Sequence, residues 1–288
     1  MIEPIKFLDE LSKTADPYLS EINSSDIFRL ENIDKVREKF KKYEFQGMMV
    51  PRVNEILQST IGKEFLMKWA AKLGEEGFVK ERSKATMTGT FVHQMIENFL
   101  LYNQKFCCDK IYSNEMRKEV HNCFKNFLNW YDDKIKNGFV INIVALEQET
   151  TNPWFGGTID CILNLQHCYY ELNETIILDF KSSKTLSYEY LLQTYAYMWS
   201  WNWNRTFINP SLQQIDGIGL LRIDKQKPIY NEFYMTNKTN PYEFAELDLA
   251  LSSMINWFYN MNCIDYQFRN LKGENNGDNI FSRNITNK

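Results

Sequence analysis

Polar and charged residues dominate positions 1–45. The first regular pattern follows Ser25 and Asp26, which suit a helix start before IFRLENIDKVREKFKKYEF. Lys35, Arg37, Lys39, Lys41 and Lys42 in this segment fit a solvated face better than a nucleic-acid contact. From Pro51 the apolar positions recur at helical spacing. PRVNEILQSTIG sets Val53, Ile56 and Leu57 on one face, and EFLMKWAAKL follows and ends at Gly74. TGTFVHQMIENFLLY and SNEMRKEVHNCFKNFLNWYDDKIK predict two more helices, the second closed by Gly138. The period then falls to two. FVINIVALEQET, FGGTIDCILNL and NETIILDFKSS read as three consecutive strands. The aromatic helix SYEYLLQTYAYMWSWNW comes next, then strands at GIGLLRI and PIYNEFYM, then a last helix over PYEFAELDLALSSMINWFYNM. This order predicts an α/β fold, a central mixed β-sheet flanked by α-helices. It divides the chain into a charged helical extension over 1–45, one domain over 46–270, and a polar, Asn-rich tail over 271–288 expected to be disordered.

Composition narrows the classes. The 288 residues are 44% hydrophobic, enough for one full core with an extension. The formal net charge of −4 weighs mildly against a nucleic-acid binder, although carboxylates that hold cations add negative charge that the metal offsets. None of the six cysteines forms a C-x-x-C pair, and so long and aromatic a chain needs no disulfide staples. Buried free thiols in a reducing compartment are expected. No apolar run reaches about 18 residues, so no membrane span is predicted, and MIEPIKFLDELSK has neither a signal-peptide nor a transit-peptide pattern. The expectation is a soluble intracellular protein, cytoplasmic or virus-encoded within its host cell.

Several residues stand out as chemistry. In ILDFKSSK, residues two apart on a strand point the same way, so Asp179 and Lys181 share one face while Phe180 turns into the core. In FGGTIDCI, Gly156 and Gly157 suit a tight approach or a bulge, and Asp160 is a lone acid in an apolar strand. If the two strands pair as a hairpin, Asp160 and Asp179 lie side by side. Adjacent carboxylates repel unless a proton or a cation lies between them, and hard oxygen ligands favour Mg2+ or Mn2+. Glu147 and Glu149 in the preceding strand share a face by alternation, and either could reach the acids. His93 and Glu97 stand four apart on one helical face, where a core histidine is the plainer reading. Gln193 and Tyr197, also four apart, can each hydrogen-bond phosphate or a base edge.

The order GTxVHxxIE, a strand glutamate, GGTID, LDFKSSK and QTYAY resembles the RecB-like branch of the PD-(D/E)XK nucleases. Within it, ALEQETTNPWFGGTIDCI followed by ILDFKSSK looks most like the group that includes the mitochondrial genome maintenance exonuclease and its phage and viral relatives. The resemblance covers residues 50–200 best. It implies a restriction-endonuclease-like core with Mg2+ or Mn2+ as cofactor. It makes His93, Asp160, Asp179 and the Phe180 carbonyl metal ligands and Lys181 the catalytic lysine. Gln193 and Tyr197 match the Q-x-x-x-Y motif that helps position substrate, and Glu147 matches the acid of the first strand. Some relatives hold an iron–sulfur cluster with three cysteines near the C-terminus; Cys263 stands alone there, so no cluster is expected. The P-loop pattern GxxxxGK[ST] does not occur, and no nucleotide is expected.

The resulting expectation is a monomeric exonuclease, with single-stranded DNA bearing a free end as substrate and replication or repair proteins as further partners. The alternatives are an endonuclease of the same fold in repair or recombination, and a catalytically silent nucleic-acid-binding protein.

Overall fold

The period-two segments of the sequence come together as one sheet in the structure, a computed structural model that describes residues 40, 42–61, 64–102 and 113–271. The elements are β1 (Tyr43–Phe45), β2 (Met48–Val50), α1 (Val53–Thr60), α2 (Glu64–Tyr102), α3 (Asn114–Lys136), β3 (Phe139–Thr151), β4 (Gly156–His167), β5 (Asn173–Lys181), α4 (Tyr188–Phe207), β6 (Gly217–Ile223), β7 (Tyr230–Thr236) and α5 (Pro241–Leu271). The main sheet runs β3-β4-β5-β6-β7. All its pairs are antiparallel except β5–β6, which α4 joins as a crossover. The predicted α/β architecture, a mixed sheet between helices, is therefore the one observed.

Each sheet face has its own core. On β5, Ile176, Leu178 and Phe180 pack with Val92 and Ile96 of α2 and Phe124 and Phe127 of α3. Ile177 faces the other way, into a cluster with α1, α4 and α5. Phe127 is wholly enclosed, and burial of such a ring stabilises by about 2–3 kcal/mol. Ser113 caps α3 by accepting the Met116 N–H at 3.1 Å, and Gly138 ends it at φ 84°.

Three segments depart from expectation. Tyr43–Phe45 is not the end of a helix but a strand, with Tyr43 and Phe45 buried and Glu44 exposed. Gln46 and Gly47 both take positive φ, 47° and 86°, and so close a two-residue hairpin onto β2. The expected boundary at residue 45 thus falls inside a β-hairpin. After Gly74 breaks α2 at φ 70° and ψ 168°, the helix resumes at once, well before Thr88. Lys84 ties this unforeseen stretch to α3 by ion pairs to Glu115 (2.9 Å) and Glu119 (3.5 Å). The last helix also runs past Met261 to Leu271.

Cys123, Cys161 and Cys263 are buried free thiols, whereas Cys168, just past the end of β4, is exposed. Cys107, Cys108, the helix expected after Ser25 as far as residue 39, and positions 272–288 lie outside the described residues. Among those described, no helix is long and apolar enough to cross a membrane.

Candidate metal centre

The acids enter from three neighbouring strands. β4 and β5 pair as far as Cys161–Leu178 and stop one step short of Asp160 and Asp179. There the Asp160 side chain replaces the missing strand partner, and its Oδ2 accepts the Phe180 N–H at 2.9 Å. On β3 an extra residue near Val144 shifts the register. Beyond it, Leu146 pairs with Cys161 and Gln148 with Ile159, which sets Glu147 across from Asp160. Glu147 adopts φ 44°, a left-handed conformation that costs a non-glycine residue about 1–2 kcal/mol. The simple alternation expected of Glu147 and Glu149 fails here, because the backbone turns at Glu147. Glu149 stays exposed.

The helix α2 supplies His93. Its Nδ1 lies 3.5 Å from Asp160 Oδ1 and 3.8 Å from Glu147 Oε1, and its Nε2 lies 3.2 Å from the Phe180 carbonyl oxygen. One ligand atom each from His93, Glu147 and Asp160 fall within 4.8 Å of one another. Glu97, one turn on, joins none of these contacts. Asp179 is turned towards Lys181, whose Nζ donates to Oδ1 at 3.0 Å and lies 2.7 Å from Oδ2. The same Nζ donates to Gln193 Oε1 at 3.2 Å, and Gln193 Nε2 donates to the Tyr197 hydroxyl at 2.8 Å.

The charged groups set one another's proton affinities. Burial opposes a proton on His93, but the Asp160 carboxylate and Glu147 beside it hold its pKa well above 6.5. Burial also works against the Asp160 anion; the charge of His93, its hydrogen bond and Lys181 outweigh that and bring its pKa below the usual carboxylate range. Burial pushes Asp179 up to about 6 despite the ammonium beside it. Lys181 is buried too, yet Asp179 and Asp160 raise its pKa and keep it charged.

The donor set suits a divalent cation. Asp179 is 1% exposed, and its buried Oδ2 has the Lys181 ammonium 2.7 Å away as its counter-charge, whereas His93, Glu147 and Asp160 turn their ligand atoms towards one another. Three carboxylates, a carbonyl and one imidazole make a hard, oxygen-rich set of the kind that suits Mg2+ or Mn2+, the imidazole favouring Mn2+ of the two.

Two glycines shape the floor. A Cβ on Gly157 would lie 2.1 Å from Tyr197 Cε1, and one on Gly156 would lie 2.5 Å from Tyr43 Cβ. The tight approach expected at Gly156–Gly157 is thus an approach of two tyrosine rings. Tyr43 also hydrogen-bonds Thr158 Oγ1 at 3.0 Å, across 115 residues of sequence. No local pattern could have pointed to Tyr43. Tyr190, whose ring centroid lies 4.8 Å from Lys181 Nζ, was legible in principle, because it shares a helical stripe with Gln193 and Tyr197.

No protein-family model matches the chain, and no curated protein matches it. Among solved structures, one described as "Crystal structure of SSO0001" is similar at 11% identity over 82% of this chain and 87% of that one, with a TM-score of 0.33.

Proposed function

We propose that the protein is a divalent-cation-dependent DNA nuclease of the PD-(D/E)XK type, acting as an exonuclease. The observation that carries this reading is the convergence of His93, Glu147 and Asp160 beside the Asp179–Lys181 pair, at the point where β4 and β5 part. His93, Glu147 and Asp160 would hold Mg2+ or Mn2+, with Asp179 and the Phe180 carbonyl as further ligands. When bound, the cation supplies charge against the phosphoryl oxygens and acidifies water. Lys181, kept charged by two carboxylates, orients the attacking water and stabilises negative charge as the P–O bond to the leaving oxygen breaks. Gln193 accepts from that ammonium and, through Tyr197, anchors it to α4. The preference for single-stranded DNA with a free end rests on the sequence resemblance alone.

The test is incubation with end-labelled single-stranded DNA in Mg2+, in Mn2+ and in EDTA, beside Lys181→Ala and Asp179→Ala. Cleavage is expected only with the cations, and each variant should lose on the order of 10²–10³ in rate while keeping its circular dichroism. Circular single strands should survive if a free end is required. A Lys181→Ala protein that cuts as fast as the native one would overturn the assignment.

A further inference from the structure

We infer that Tyr190 is a positioning residue for Lys181, holding its ammonium between Asp179 and Gln193 by the face of its ring. This rests on the nuclease reading for its kinetic consequence, but the contact is a property of the chain itself. An ammonium carries three N–H donors. At Lys181, Asp179 and Gln193 take up two of those directions, and the Tyr190 ring centroid lies 4.8 Å from Nζ. An aromatic face attracts the charge without accepting a directional hydrogen bond from a lone pair. It thereby restrains the ammonium beside Asp179 and Gln193. A carboxylate in the same place would hold the ammonium more firmly and compete with the substrate. An aliphatic side chain would leave the end of the flexible four-carbon stem held by Asp179 and Gln193 alone.

The surroundings favour this role over a merely structural one. Tyr190 is half-buried and belongs to neither sheet-face core. No hydrogen bond among the described residues engages its hydroxyl. Its backbone carbonyl accepts from Thr194 as any helical residue's could. Tyr190, Gln193 and Tyr197 stand at i, i+3 and i+7 on α4, so one helical stripe carries the ring, the amide acceptor and the anchoring hydroxyl.

The test compares Tyr190→Leu and Tyr190→Phe with the native protein. Loss of the ring contact should lower kcat about tenfold in Tyr190→Leu while KM stays within about twofold. Tyr190→Phe, which keeps the aromatic face, should recover the rate to within about threefold of native. A metal-free readout accompanies this. The Lys181 ε-methylene protons, close to the ring, should resonate upfield in the native protein and in Tyr190→Phe, and return to the ordinary lysine position in Tyr190→Leu. Equal kcat in the native and Tyr190→Leu proteins, or Tyr190→Phe as slow as Tyr190→Leu, would overturn the inference. A native protein that cleaves no nucleic acid would overturn the nuclease reading instead, and the Lys181 resonance would then decide the contact by itself.

Discussion

Gly157→Ala probes the link between the strand that carries Asp160 and the helix that anchors Lys181. The added Cβ would lie 2.1 Å from Tyr197 Cε1, with two further ring atoms at 3.0 Å. Tyr197 must retreat by about 1.3 Å to regain an ordinary contact of 3.4 Å. Tyr197 is buried against α4's own neighbours, so the retreat meets packed atoms, and overpacking of this kind costs about 1–3 kcal/mol. The same shift would stretch the 2.8 Å hydrogen bond from Gln193 beyond useful length. Gln193 would then be free to turn away from Lys181. A misplacement near 1 Å can cost about 10²-fold in rate. The expectation is a Tm lower by roughly 2–4 °C per kcal/mol, with a rate loss of 10- to 100-fold at a temperature where the variant is folded. Gly89→Ala is the contrasting substitution. A Cβ there meets nothing within 4 Å and the position is helical, so the helix should gain about 1 kcal/mol. Thermal melts followed by calorimetry and timed cleavage of labelled DNA measure both effects. A Gly157→Ala protein with native Tm and native rate would refute the argument that Tyr197 needs a bare backbone beneath it.

Two further outcomes follow from the same geometry. His93 and Asp179 both hold protons above their ordinary pKa values, the latter up to about 6, and both must be free of protons to ligate; Mn2+ affinity measured by calorimetry should therefore rise with pH between about 5 and 8 and be accompanied by proton release, and a pH-independent affinity would contradict the assigned ligands. Glu147→Gly relieves a left-handed residue while removing a carboxylate, so chemical denaturation should show stability unchanged or raised by up to about 1 kcal/mol, whereas Mn2+ affinity should fall at least about tenfold; a destabilised variant that binds Mn2+ normally would mean that Glu147 serves the fold rather than the cation.

Most of the elements were legible from local pattern, because burial imposes a period on the chain that survives without neighbours. Strand β6 was legible residue for residue from GIGLLRI. The separation of Asp179 and Lys181 from Phe180 across β5 followed from strand alternation alone. The closeness of Asp160 and Asp179 follows from the antiparallel pairing of β4 and β5, which a hairpin predicts. What failed depended on contacts between distant segments or on backbone irregularity. The stretch of α2 after Gly74 meets another helix through Lys84 ion pairs, and Tyr43 meets Thr158 across more than a hundred residues. Glu147 reaches His93 only because β3 carries a bulge and then a left-handed residue, which a rule of strict alternation cannot express. The candidate residues were thus written in local pattern. Their grouping into His93–Glu147–Asp160 and Asp179–Lys181–Gln193 was decided by where β4 and β5 part, a property of the packed sheet and not of either strand.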